Sequence, residues 1–337
     1  MNKTDQFREL LEQRQPNNGN GRPKGEAAPS QAAEDTGVAN YIYLKGRPEL
    51  KEFLRYVKKN SVDPEPEDEL ISEWKTAQKH IAKLERQEAG AADNPTFTKL
   101  DVNGRHQPFL IELLKDPIIQ NGFNTVPTDI AIIELDKLVV YQKHIDVSHV
   151  EELKKKIGPA PTEDELFKFC LPYDHPHPPV KWGRKGRDGY VFVSPSNDLR
   201  YLGTLQLKPE NIVNYPHSGS LVGVIGFAAG FGSNFLNAVY THNRLILNNG
   251  SHRSYALRAL GITHAPCIVQ HVHSMDELDV VATSEIADNP DYFLKHPRPA
   301  MLPDYFNPRL RKEMKVNRKL REITVKFSFE ESDIPAL

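Results

Sequence analysis

Residues 244–269, R-L-I-L-N-N-G-S-H-R-S-Y-A-L-R-A-L-G-I-T-H-A-P-C-I-V, concentrate the chain's candidate chemistry. The stretch 244–247 has strand character, Asn248-Asn249-Gly250 is a sharp turn, and 251–260 has helical spacing with Gly261 at its C′ position. A strand that turns through glycine into a helix exposes the N–H groups of the first helical turn, and these attract an anion. Arg253 adds a fixed fork of donors suited to phosphate oxygens, and Asn248 and Asn249 add amides from the turn. The expected phosphate clamp is therefore Asn248, Asn249, Gly250, Ser251, His252 and Arg253. Within it Ser251 is a phosphate ligand, while His252 and Arg253 are the candidate catalytic groups. His252 would serve as acid/base or ligand, and Arg253 would stabilise charge developing on phosphate. The alternative is a plain strand-turn-helix in which Ser251 caps the helix and the two longer side chains are solvated.

Other clusters carry weaker patterns. Asp174, His175 and His177 lie in D-H-P-H-P-P, a spacing that fits no standard zinc site; an extended loop is the ordinary reading, and any metal ligand set stays unknown. His264, His271 and His273 follow the clamp in sequence, the last two on one face of a predicted strand. GFAAGFG at 226–232 lacks the Lys-Ser/Thr of a P-loop, which favours a buried packing loop. Residues 309–326 carry eight Lys or Arg against two Glu, a balance that suits DNA or RNA phosphates or an acidic protein, but no aromatic residue interleaves them and a solvated helix face is the ordinary reading. Lys181-Trp182-Gly183-Arg184-Lys185-Gly186-Arg187 is a second basic patch, whose Trp182 either stacks on a base or anchors a hairpin.

The elements that must position these groups follow from periodicity. A short helix is expected at 4–14, and 15–38 is too polar and too rich in Pro, Gly and Asn to fold. Helical spacing appears around 50–57 and over 67–87, where acidic residues open the second helix. A β-branched run at 128–140 predicts a strand. Asp146 or Ser148 then caps a helix through Ile157, which ends at Gly158-Pro159. Beyond it come a short helix at 163–169, paired strands at 189–193 and 201–207, and two strands around Thr241-His242-Asn243. A strand at 265–273, helices near 274–286 and 300–315, and a last strand at 322–329 complete the expectation.

With these elements in order, the chain resembles the ParB/sulfiredoxin-like superfamily. Gly250-Ser251-His252-Arg253 matches the family's G-x-[HR]-R tetrad, and Leu260-Gly261 followed by Ala265-Pro266-Cys267-Ile268-Val269 matches its helix end and next strand. Ile133-Glu134-Leu135-Asp136-Lys137-Leu138 and 150–157 look like the family's first strand and helix, so the resemblance covers about a fifth of the chain. It implies an α+β, ParB/sulfiredoxin-like core and binding of ATP or another nucleotide, with Mg²⁺ accompanying a triphosphate. The departures narrow the chemistry. Ser251 stands where sulfiredoxins carry a reactive cysteine, and Gln142 lies where the serine kinases of the group place a catalytic glutamate. The prolines of 290–308 interrupt any helix-turn-helix DNA reader.

The 337 residues, 39% hydrophobic with a net charge of −2, allow one enlarged domain or two ordinary ones. The implied organisation is a disordered tail at 1–38 and a mainly helical region at 39–126. A core at 127–273 with an insertion at 158–236 follows, then a helical extension at 274–337 with a final strand. Two cysteines exclude a disulfide scaffold, and no apolar run reaches membrane length, so a cytoplasmic protein without a membrane partner is expected. The functional expectation is nucleotide or phosphate-ligand binding, with phosphoryl transfer or phosphoester hydrolysis if the protein is an enzyme. The alternative is a non-enzymatic, nucleotide-gated regulator that binds DNA, RNA or protein.

Overall fold

The structure, a computed structural model, describes residues 37–335 apart from residues 102, 197 and 213–218. The helix expected at 4–14 and nearly all of the expected tail lie outside the described residues. The chain opens with β1 (Val38–Leu44), α1 (Leu50–Asn60), α2 (Glu67–Gln87), β2 (Phe97–Lys99), α3 (Gln107–Lys115) and α4 (Pro117–Gly122). It continues through β3 (Thr128–Glu134), β4 (His144–Asp146), α5 (Val147–Ile157), α6 (Glu163–Cys170), β5 (Lys181–Arg184), β6 (Gly189–Ser194), β7 (Arg200–Leu207) and β8 (Val224–Gly230). The last part holds β9 (Asn237–Thr241), β10 (Arg244–Asn249), α7 (Ser251–Ala259), β11 (His264–His271), α8 (Met275–Val281), α9 (Ser284–Ala287), α10 (Pro290–Lys295), β12 (Arg311–Asn317) and β13 (Arg321–Lys326). The fold is α+β.

Two sheets carry the core. The larger has the order β10-β9-β11-β3-β2, in which β9 and β11 are parallel and the other pairs antiparallel. The smaller has the order β12-β1-β4, all antiparallel. Strand alternation divides β1 between two cores. Ile42 and Leu44 join Ile145, Leu245, Leu247, Leu257 and Cys267 in the main core, whereas Ala39 and Tyr43 face Phe53 and Val57 of α1 and Leu70 of α2. Strands from the two ends of the described chain thus pair with each other, and residues from Gly37 onward make one compact unit.

Local chemistry sets the helix ends near the clamp. The Asp146 side chain accepts the His149 N–H at 3.1 Å and starts α5, which Gly158 ends at φ +76°. α6 opens with a reciprocal Thr162/Glu165 capping box. At the edge of its sheet, β10 is closed off by Val139, which donates to the Leu245 carbonyl and accepts from the Leu247 N–H.

Several expectations change. No helix forms over 300–315. Residues 302–306 make a single 3-10 turn, Pro308 follows, and β12 begins at Arg311. In β12 the buried positions alternate as Lys312, Met314 and Val316, and Lys312 is tolerated there because Glu65 (2.6 Å) and Glu73 (3.3 Å) pair with it. The basic stretch 309–326 is therefore two strands in different sheets, not one helix face. The glycine-rich 226–232 is no buried loop: it lies mostly in β8, where Ile225 and Phe227 are exposed. The strands expected at 189–193 and 201–207 both form, but β6 pairs with β5 and β13 while β7 pairs with β8. The strand expected over 128–140 stops at Glu134, where the Leu135 N–H turns to the Thr263 carbonyl. The region 39–126 also contributes β1 and β2, so its helices do not stand alone.

Candidate functional site

The hairpin that leads into the clamp turns at His242 and Asn243, with φ +47° and +58°. Two successive positive φ values make a tight two-residue turn matched to strand twist. β10 then runs to Gly250, whose φ of +101° suits glycine alone and whose missing side chain matters as well. A Cβ there would stand 2.6 Å from Leu236 Cδ1. α7 starts directly after it. Its first internal bond runs from the Ser254 N–H to the Gly250 carbonyl. The N–H groups of Ser251, His252 and Arg253 therefore have no acceptor within the helix.

The turn brings all six expected residues into one place, yet most of their side chains hold neighbouring segments. The Asn248 amide donates to the Val281 carbonyl at 2.9 Å and accepts the Thr283 N–H at 3.0 Å, which ties the clamp to the α8–α9 connection. Asn249 donates to the Ser233 carbonyl at 2.6 Å. Arg253 is 8% exposed. Its guanidinium donates to the Cys170 carbonyl (3.3 Å), the Asn234 carbonyl (3.2 Å) and Asn234 Oδ1 (2.8 Å), and it lies 5.5 Å over the Phe169 ring. Its Nε is buried without a partner, and no carboxylate pairs with it among the described residues. Burial lowers its pKa.

His252 turns towards α5. Its Nε2 accepts the Asp146 N–H at 3.0 Å, which places the ring proton on Nδ1 and requires a neutral imidazole. Burial, followed by the neighbouring His149 and His144, pushes its pKa from 6.5 to about 3. The His149 ring stands edge-on to it at 5.5 Å. Ser251 is buried at the helix start. Cys267 and Cys170 are also buried, and burial raises both thiols, so neither is a nucleophile at neutral pH.

The remaining candidates lie apart from the clamp. The parallel pairing of β9 and β11 puts His271 level with Tyr240, which faces Leu245 near the start of β10, away from Gly250. There His271 pairs with Asp129 at 3.0 Å. His273 follows the end of β11, and His264 contacts Thr263. His175 pairs with Asp116 at 2.5 Å, and His177 stacks on Phe231 at 5.8 Å, so the D-H-P-H-P-P segment packs against the approach to the clamp. Among the described residues no three His, Cys, Asp or Glu side chains gather as a metal site requires. A cavity of about 260 Å³ opens elsewhere, lined by Leu100, Leu110, Ile119 and Phe123 beneath Lys99 and Asp129.

Two contributors had no sequence signal. Asn234 holds Arg253 from 19 residues away, and the Tyr141 hydroxyl donates to the Asn248 carbonyl at 3.2 Å from 107 residues away. No helix among the described residues is long and apolar enough to cross a membrane. Comparison with family models, with curated proteins and with solved structures gives no match.

Proposed function

We propose that the protein binds a phosphate-bearing ligand, ATP or another nucleotide first among them, at residues 248–253 of a ParB/sulfiredoxin-like core. Arg253 is the observation that carries this reading. A guanidinium buried among carbonyl oxygens, with no carboxylate partner among the described residues, bears a desolvation cost that an anion would relieve. The N–H groups of the first turn of α7, the turn that carries Arg253, favour the same charge. β3, α5, β10, α7 and β11 come in the order that the resemblance implies, with α6 and β5 to β8 inserted between α5 and the clamp hairpin.

Binding has more support than catalysis. His252 is a neutral acceptor already engaged by Asp146, so it is poorly suited to donate a proton at neutral pH. If phosphoryl transfer or phosphoester hydrolysis takes place, Arg253 and the α7 N–H groups are the charge-stabilising set. No three His, Cys, Asp or Glu side chains gather among the described residues, so a Mg²⁺ that accompanied a triphosphate would be held mainly by the phosphates themselves.

The regulator reading has its own support. The donors of Asn248, Asn249 and Arg253 tether the α8–α9 connection and the segment after β8. A phosphate that recruits those donors would release both tethers, which is the form of a ligand-gated switch.

Thermal unfolding of the full chain with ATP, ADP, CTP and pyrophosphate tests the proposal. Ligand at about 100 times its Kd should add about 2.7 kcal/mol of stability. Arg253→Met should abolish this gain, and Arg253→Lys should keep part of it. A gain undiminished in Arg253→Met, or none with any of these ligands, would refute the clamp. Turnover of labelled ATP or CTP distinguishes enzyme from switch.

A further inference from the structure

Away from the clamp, the three-stranded sheet β13-β6-β5 presents rings and cations together. Its register lays Trp182, Phe192 and Ile323 in one row and Arg184, Tyr190 and Val325 in the next. Alternation sends the buried Val191 and Val193 to the opposite face, so these two rows form the outer one. Trp182 stacks on Phe192 at 5.9 Å and 17°, and Tyr190 stacks on Phe327 at 6.2 Å and 29°. Phe329 extends the line, 5.3 Å from Phe327. The rings are accessible: Trp182 is 66% exposed and Phe329 85%.

Exposed rings alone would mark an apolar contact. Charge decides the class of partner. The segments 181–194 and 318–329 that build this sheet hold eight Lys or Arg against two acidic residues, with Glu330, Glu331 and Asp333 following beyond the last ring. Register puts Arg184 and Arg321 on the outer, ring-bearing face, whereas Lys181 and Lys326 share the side of Val191 and Val193. One of the two acids, Glu322, pairs with Lys185 at 2.7 Å on the opposite side of the sheet. Arg184 donates to the Arg187 carbonyl at 2.7 Å, which holds its fork beside Tyr190 in the outer row. A ligand that satisfies both features has flat faces for the rings and a repeating negative charge for the cations. A single strand of nucleic acid has both, whereas a duplex keeps its base faces stacked inside.

We infer that the outer face of β13-β6-β5 is a binding platform for single-stranded nucleic acid, with bases stacking on Trp182 and the Tyr190–Phe327 pair and phosphates meeting Arg184 and Arg321. The inference does not rest on the clamp. It relocates the nucleic-acid contact expected at 309–326: β12 takes the first half of that stretch into another sheet, and only the second half joins the Trp182 patch.

The test uses the full chain with oligo(dT) and oligo(rU) of about 15 nucleotides. Anisotropy of the labelled strands and tryptophan emission are followed together. Both strands should bind with an affinity that falls as salt rises, with a slope of about −0.7 per neutralised phosphate, and the tighter of the two identifies DNA or RNA as the source. Tryptophan emission should be quenched through Trp182, since Trp74 is engaged with the Pro48 carbonyl in another region. Trp182→Ala should weaken binding roughly 5- to 100-fold, and Trp182→Phe should restore most of it. The idea is overturned by an absence of binding at about 50 mM salt, or by affinity unchanged in Trp182→Ala. It is equally overturned if a duplex of the same length, polyglutamate or phosphatidylserine vesicles bind more tightly than either strand.

Discussion

The His252 contact makes the stability of the clamp depend on pH in a way that can be worked through. Its Nε2 accepts the N–H of Asp146, the residue that caps α5, and this is possible only for the neutral ring. Burial, then His149 and His144, lower the folded pKa from 6.5 to about 3. Between those values the unfolded chain takes up a proton that the folded chain refuses. The contribution is thus complete above pH 6.5 and is lost progressively as pH falls towards 3. The slope approaches about 1.4 kcal/mol per pH unit, so lowering the pH from about 7 to about 5 removes about 2 kcal/mol through this residue. Urea unfolding at both pH values, on the wild-type chain and on His252→Gln, isolates the effect. Glutamine offers an amide oxygen to the same N–H and does not titrate. His144, whose pKa burial also lowers, is present in both proteins and cancels. The wild type should lose about 2 kcal/mol more than the variant over this interval. Parallel pH profiles would refute the reasoning, because they would mean that His252 carries no depressed pKa in the folded chain.

Other perturbations follow from the same geometry. Gly250→Ala forces a side chain into φ +101° and against Leu236, and it should cost about 2–4 kcal/mol, read as a lower urea midpoint; an unchanged midpoint would contradict that packing. Lys312→Ala leaves Glu65 without its cation, while Glu73 keeps Lys45 at 3.7 Å, and should destabilise by about 1–3 kcal/mol in chemical denaturation, whereas a loss under about 0.5 kcal/mol would show that the site is well hydrated. Asp146→Ala removes the cap on the His149 N–H but leaves the backbone donor to His252, so about 1 kcal/mol should be lost with the pH response of His252 retained; loss of that response would tie it to the carboxylate instead.

The stretch from 237 to 271 was the most readable part of the chain, because its signals are local. Two strands around a polar turn, a glycine at the head of a helix and another at its end each act within a few residues, and all of them form. Asp146 as a cap and Gly158 as a stop belong to the same class. The basic stretch at 309–326 misled for the opposite reason. Lys312 reads as a solvated side chain until Glu65 and Glu73, distant in sequence, are brought against it, and only then does the period-two burial of β12 become visible.

That residues 248–253 form one turn between a strand and a helix follows from local residues alone, because glycine's backbone freedom and helix-end chemistry do not depend on distant partners. Tertiary structure alone decided what the side chains of that turn do. Arg253 meets Asn234 and Cys170, His252 meets Asp146, and Asn248 meets Val281 and Thr283. It also decided that Trp182 and Val325 share one sheet face. Strand edges present the same backbone groups whatever their sequence, so the choice of partner falls to burial and charge across the whole fold.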